Sequence, residues 1–291
     1  MTKIIDGRKI RDEILAEVKR EVAGLSFQPV FCDVLVGDDP ASLQYVRMKD
    51  RTAESMDIKF HNVHLPDTLS TEELVLEIKK INEIKNMCGL IIQLPLPEHF
   101  DKKEILDSVE PNLDVDCLGE VASEKFYKNE KSLGFPTALA CMHILDSLNL
   151  SLQDKNIVVL GQGDLVGKPV TALLRFRGLS PEIITRVTKD KEIIIKNADI
   201  IISGMGNGQS ITGSMIKNGV VLIDAGTSES LGYRPTGEPN SAIVGDVDLE
   251  SVKGVASFVS PVPGGVGPVT IAMLFKNVLQ VAKNNSSTGP T

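Results

Sequence analysis

With 291 residues, 42% of them apolar and 24% charged, the chain has material for one large or two ordinary globular domains. Its net charge of -8 argues against a nucleic-acid surface, which calls for clustered basic residues, and directs attention to small-molecule partners. The N-terminus lacks the order of a signal peptide and the apolar runs fall short of a membrane span, so a cytoplasmic protein is expected.

Asp6 precedes an amphipathic run in which Ile10, Ile14, Leu15, Val18 and Val22 share one face, with Gly24 as a stop signal, and the spacing predicts a first helix. Residues 29–36 are apolar and β-branched enough for a buried strand ending in the turn Gly37-Asp38-Asp39-Pro40. A helix over 42–56 then puts Tyr45 and Lys49 at i and i+4, just after the strand's carboxyl end, where open α/β sheets hold ligands. The pattern repeats with a strand over 58–65, a helix over 71–84 entered through a capping-box pattern at Ser70 and Glu73, and a strand over 89–93. Such alternation predicts parallel strands. Pro95 and Pro97 end the third strand and leave the Gln93 amide at the sheet's carboxyl edge. After a short helix over 102–109, Asp114 and Asp116 stand two apart, on one face if the loop is extended.

A helix over 139–148 leads to a plain strand over 155–160, the turn GQGDLVGKP at 161–169 and a helix over 170–176. A glycine-rich turn between strand and helix offers backbone amides to a pyrophosphate, although the spacing is GxGxxxG instead of GxGxxG. Strands over 182–186, 200–203 and 220–224 continue the alternation, the last two running into Gly204, Gly206, Gly208 and Gly226. A Rossmann-like second domain is the reading. Residues 260–270 pack three prolines and three glycines into eleven positions, which predicts a shaped loop, either a rigid interdomain turn or a binding wall. A final helix over 271–282 and a polar tail over 284–291 complete the chain.

Lys49 is the sharpest candidate, because a lysine desolvated beside a sheet edge can work as an acid or base. Its neighbours Arg47 and Arg51 suit a solvated face equally. Tyr45 fits a packing residue or a stacking platform. His61 and His64 face opposite sides of a strand, so no metal is expected, and no G-x-S-x-G elbow supports a serine nucleophile. Cys32, Cys88, Cys117 and Cys141 form no CxxC pair and read as buried reduced thiols.

Taken together, Tyr45-Val46-x-x-Lys49, GLIIQLPLP at 89–97, Asp114-Val115-Asp116, residues 161–169, Gly245-Asp246-Val247 and residues 260–270 make nearly the whole chain resemble the bifunctional methylenetetrahydrofolate dehydrogenase/methenyltetrahydrofolate cyclohydrolase family. The resemblance implies two α/β domains. One is a three-layer α/β folate-binding and catalytic domain of residues 1–138 plus 271–291. The other is a Rossmann-like NAD(P)-binding domain over 139–270. The C-terminal helix would return to the first domain, and the second would mediate homodimerisation. The implied chemistry, part of one-carbon metabolism, is oxidation of 5,10-methylenetetrahydrofolate by hydride transfer to a nicotinamide, then hydrolysis of the methenyl cation to 10-formyltetrahydrofolate. By similarity Lys49 is the catalytic lysine, held by Gln93 and Tyr45. Tyr45 would stack on the folate ring and Asp116 would accept hydrogen bonds from the pterin. Leu94, Pro95, Pro263, Gly264 and Gly265 would line the substrate. The nucleotide would meet Gly161, Gln162, Gly163, Asp164, Leu165 and Val166 at the turn, and Thr185 and Arg186 after the second strand. Gly204, Gly226 and Thr227 would meet it at later strand ends, with Gly264, Gly265 and Thr270 in the proline/glycine loop.

The nucleotide half departs from the family pattern. Gln162-Gly163 stands where Arg-Ser is usual, Thr185-Arg186 where His-Ser is usual, and residues 135–140 reduce a P-C-T-P-x-G stretch. Arg186 could restore a guanidinium to the ribose phosphate, which favours NADP over NAD. A cyclohydrolase with weak or lost dehydrogenase activity and a non-catalytic folate- or nucleotide-binding protein are the alternatives.

Overall fold

A computed structural model describes residues 1–130, 133–233 and 239–287. The chain divides into two compact units, Asp12–Pro136 with Ile271–Thr291, and Met1–Arg11 with Thr137–Thr270. It opens with β1 (Lys3–Ile4) and α1 (Gly7–Val22), the helix being capped where Asp6 accepts from the amides of Arg8 and Lys9, each at 3.1 Å. β2 (Val30–Val36), α2 (Pro40–Ser55), β3 (Lys59–Leu65), α3 (Thr71–Asn82) and β4 (Met87–Ile92) then alternate. Their strands form a parallel sheet ordered β3-β2-β4, with Asp33 of β2 opposite Asn62 and Ile91. Asp39 caps α2 by accepting from the Ser42 amide at 2.7 Å, and the Ser70/Glu73 capping box is formed at α3.

α4 (Lys102–Asp107), α5 (Glu120–Tyr127) and α6 (Pro136–Ser147) follow. In the other unit come β5 (Ile157–Leu160), α7 (Gly167–Phe176), β6 (Glu182–Ile184), α8 (Lys191–Asn197), β7 (Ile200–Ser203) and β8 (Val221–Asp224). β9 (Ser228–Tyr233), β10 (Pro239–Val244), α9 (Leu249–Val252), β11 (Phe258–Val259) and α10 (Val266–Ser287) complete the order. The larger sheet runs β1-β11-β8-β7-β5-β6 with parallel pairing throughout, and β9 and β10 form a separate antiparallel pair. β6 and β7 flank β5 on opposite sides. The strand order therefore switches direction at β5, and its carboxyl end is where this architecture holds ligands.

Several boundaries differ from expectation. α7 and α10 start earlier than residues 170 and 271, because Pro169 and Pro268 fall in their first turns, where an amide has no helical acceptor to lose. α10 also continues through residues 284–287 of the expected polar tail; residues 288–291 lie outside the described residues. Met1–Arg11 group with residues 137–270, since Lys3 and Ile4 pair with Phe258 and Val259. Residues 111–116 form turns and a single bridge from Asp114 to Leu90, so the loop is not extended.

The smaller sheet is closed by α10. Phe31 of β2 meets Phe60 and Phe275 edge-on, with centroids 5.6 and 5.4 Å apart. The buried Asn277 donates to the carbonyls of Val115 and Gly134 at 2.8 and 2.7 Å, fixing the loop that carries Asp116. Asn277→Leu would leave two buried carbonyls unpaired, at a cost of about 3 kcal/mol. We expect a clearly lower midpoint in urea unfolding followed by circular dichroism; an unchanged midpoint would show that these bonds do not hold the loop.

Candidate functional site

The buried stripe of α2 is Ser42, Val46, Lys49 and Ala53, the i, i+4, i+7, i+11 spacing of one helix face. Lys49 is therefore an inward residue, only 6% exposed, while Arg47 and Arg51 are exposed. The solvated reading of Lys49 does not hold. Its Nζ lies 2.6 Å from Oδ2 of Asp33 and donates to Oε1 of Gln93 at 2.7 Å. Gln93 sits just beyond β4, and its Nε2 donates to the Leu94 carbonyl at 2.7 Å. The carboxamide is thus oriented with its oxygen toward the lysine. The Tyr45 ring, one helical turn from Lys49, is 46% exposed, and the close partners of Nζ are Asp33 and Gln93. Pro95 is exposed and Leu94 half-buried beside Gln93.

Asp114 and Asp116 have separate tasks. Asp114 is buried and accepts from the Gly119 amide at 2.7 Å. Burial pushes its carboxyl up to about 6 against the pull of surrounding backbone amides. It is a turn former. Asp116 is half-buried, and burial pushes its carboxyl up to about 7, with Lys49 opposing and Asp114 and Asp33 reinforcing the rise. The fields of Lys49 and Asp33 reach Asp116, so the three belong to one electrostatic group. Burial also raises the Asp33 carboxyl, with Lys49 pulling it down.

In the other unit, the turn after β5 is built on close backbone approach. Gly161 has φ +89°, and a Cβ there would come within 2.7 Å of the Gly204 carbonyl oxygen. Its amide donates to Ile184 at 2.9 Å, bringing the end of β6 beside the turn. β6 stops at Ile184, so Thr185 and the exposed Arg186 lie just past the strand. Gln162 folds back, its Nε2 donating to the Gly161 carbonyl at 2.8 Å and to Thr171 Oγ1 at 3.2 Å. Gly163, Asp164 and Leu165 are exposed and Val166 precedes α7. The exposed Gly163 lies four residues before the ten-residue α7, whose free N-terminal amides suit an anionic group such as a pyrophosphate. Asp164 would oppose it, and Lys168 pairs with that carboxylate at 2.6 Å.

The proline/glycine loop is tied to the N-terminus. Gly7 donates to the Gly264 carbonyl at 3.0 Å, and a Cβ on Gly7 would collide with the Gly265 carbonyl. Gly264 has φ +107°, and Gly265 donates to the Pro261 carbonyl at 2.7 Å. Pro263 is exposed in this loop. Thr270 lies within α10, its hydroxyl donating to the Val266 carbonyl at 3.2 Å.

Three carboxylates with defined work were given no role by the sequence reading, although Asp246 stood in one of its motifs. Asp33 was signalled by a lone acid in the run VFCDVLV. The buried Asp246 accepts from Ser203 Oγ, Met205 N and Asn207 N at 2.6, 2.8 and 2.7 Å, which fixes the loop containing Gly204. The buried Asp224 accepts from the amides of Gly226, Asp246 and Val247 at 3.0, 3.1 and 2.9 Å. It supports Gly226, next to the exposed Thr227.

Residues 5–116 match the family model for the catalytic domain of tetrahydrofolate dehydrogenase/cyclohydrolase, and residues 136–286 match the model for its NAD(P)-binding domain. The chain is 40% identical over 285 residues to the bifunctional protein FolD of Nautilia profundicola, with 97% of each covered. The bifunctional FolD structure from Campylobacter jejuni is 32% identical with a TM-score of 0.89, covering 98% of this chain and 100% of its own. The Trypanosoma brucei dehydrogenase-cyclohydrolase, solved with NADP cofactor and an inhibitor, is 33% identical with a TM-score of 0.90 over 98% of both chains. Matched in both halves and along its length, the chain belongs to the tetrahydrofolate dehydrogenase/cyclohydrolase family.

Proposed function

We propose that Lys49 is the proton-transfer residue of a bifunctional enzyme. It oxidises 5,10-methylenetetrahydrofolate and hydrolyses the resulting methenyl cation to 10-formyltetrahydrofolate. The observation that carries this reading is the buried Lys49 held between Asp33 and Gln93 in the half that matches the catalytic domain. A desolvated amine near a bound cation is disposed to lose its proton and to accept one from attacking water. Asp116 would bind the pterin's amine and ring nitrogen, while the exposed Tyr45 ring would stack on the folate and Leu94 and Pro95 would line it.

NADP is the proposed hydride acceptor. Gly161 through Val166, Gly204, Gly226, Thr227 and Thr270 would belong to its site, with Thr185 and Arg186 at the adenosine end. The exposed guanidinium of Arg186 is free to approach a ribose phosphate without leaving a buried position. A second reading, a cyclohydrolase with weak dehydrogenase activity, is favoured by Gln162, which stands where the family usually places an arginine and folds back onto Gly161 and Thr171. A homodimer joined through the nucleotide-binding unit and a cytoplasmic location complete the proposal. No helix among the described residues is long and apolar enough to cross a membrane. A scattering mass near 31.5 kDa instead of twice that value would reject the dimer, and recovery in a membrane fraction would reject the location.

Lys49→Met should slow hydrolysis of methenyltetrahydrofolate by at least about 100-fold, as loss of a positioned acid/base group does, in a variant that still shows the native circular dichroism spectrum but unfolds more easily, because Asp33 loses the charge that compensates it. A wild-type rate of chromophore decay would refute the assignment. Arg186→Ala should raise KM for NADP by about tenfold or more, the loss expected of a charge-assisted phosphate contact, and leave KM for NAD nearly unchanged. Equal effects on both nucleotides would remove the argument for NADP. If wild type hydrolyses methenyltetrahydrofolate but reduces neither nucleotide, the weak-dehydrogenase reading replaces the bifunctional one.

A further inference from the structure

β2 is buried at all seven positions, and six of them are apolar; the seventh is Asp33, fully buried. Burying a carboxylate in a central strand is costly unless its charge is matched. Neither carboxylate oxygen meets a hydrogen-bond donor in regular geometry among the described residues, so what compensates Asp33 is the charge of Lys49 at 2.6 Å. Lys49 is better served. Its ammonium has the carboxylate on one side and the Gln93 carbonyl oxygen on the other. A pair this close and this dry can exist as ammonium and carboxylate or as amine and carboxylic acid, with no change of net charge.

On the functional reading above, we infer that Asp33 is the proton partner of Lys49, taking the ammonium proton when the substrate cation binds and leaving a neutral amine to assist water attack. Asp33 acts through Lys49 and is a positioning residue. The cation favours this state when it sits nearer Lys49 than Asp33, because the repulsion of the ammonium that it relieves then exceeds the attraction to the carboxylate that it gives up. Water then forms the C–O bond to the methenyl carbon and gives a proton to the Lys49 amine. As the carbon–nitrogen bond breaks, its electron pair goes to nitrogen, which takes the proton from the ammonium. The hydroxyl proton leaves as the formyl C=O forms. One proton per turnover passes to solvent, and the ammonium–carboxylate pair is restored.

The titratable groups that act on this pair are Asp116 from the 111–117 loop and Cys32 beside Asp33 on β2, whose thiol is pushed up by burial and by Asp33. The strands paired to Asp33 bring Asn62 and Ile91, which do not titrate, and α10 meets β2 through Phe275 on Phe31. With Asp33 present, the amine arises inside the site, so between about pH 6 and pH 9 hydrolysis should vary only as far as Asp116, pushed up to about 7, changes charge. In Asp33→Asn the proton must leave to solvent, so the rate should fall with decreasing pH. We expect a deficit of about tenfold or more at the acid end, narrowing toward the alkaline end.

The experiment is methenyltetrahydrofolate decay, corrected for the uncatalysed rate, across this range for wild type, Asp33→Asn and Asp33→Val. Valine keeps the apolar character of β2 if asparagine fails to fold. A pH-dependent deficit in the folded variant supports the inference. Rates lowered equally at every pH, or left unchanged, overturn it and assign Asp33 to structure alone, while the functional reading stands. If wild type itself does not hydrolyse the substrate, both fall.

Discussion

A lysine and an aspartate taken out of water together constrain everything around them, because each is tolerable only while the other stays in place. Lys49 and Asp33 come from different elements, the middle of α2 and the middle of β2. Their approach depends on the turn at residues 37–40 and on the Asp39 cap that sets where α2 begins. Gln93 adds a third support from the end of β4, and the order β3-β2-β4 puts that strand directly beside β2. Asn277 extends the dependence to α10 by holding the loop that brings Asp116 within range of the pair. The same arrangement that makes the pair tolerable makes it responsive, since a cation arriving nearby changes which form of the pair is favoured.

The other unit uses buried carboxylates differently. Asp224 and Asp246 spend their oxygens on backbone amides and one hydroxyl, and so act as internal caps for the loops after β7 and β8. Those loops and the turn after β5 approach each other closely enough that Gly161 has no room for a side chain. The proline/glycine loop is shaped by Gly264 at positive φ and by its hydrogen bond from Gly7. The result is a set of glycine-rich strand ends fixed before any ligand arrives, which lowers the ordering cost of binding.

Much of this was legible in the sequence. Long amphipathic helices and apolar strands announced themselves by period, and the Ser70/Glu73 box and the Gly161 turn were readable as local chemistry. β1, β11 and α5 were not, because two residues or a single pair of buried positions such as Ala122 and Phe126 carry no period. The inward face of Lys49 was hidden by Arg47 and Arg51, although Ser42, Val46 and Ala53 mark the stripe once the helix start is known. Asp33 was overlooked for a related reason. A strand that is buried on both faces gives no alternation against which one carboxylate stands out, and its partner is sixteen residues away on another element.

The central claim is that Lys49 and Asp33 form one proton-handling unit, and a double-mutant cycle on methenyltetrahydrofolate hydrolysis measures it most directly. Wild type, Asp33→Asn, Lys49→Met and the double variant would be compared near about pH 6, where dependence on the carboxylate is greatest. The account predicts that Asp33→Asn slows the enzyme when Lys49 is present and has no further effect once Lys49 is methionine. Losses that multiply independently would contradict it, because the two residues would then act on the reaction separately.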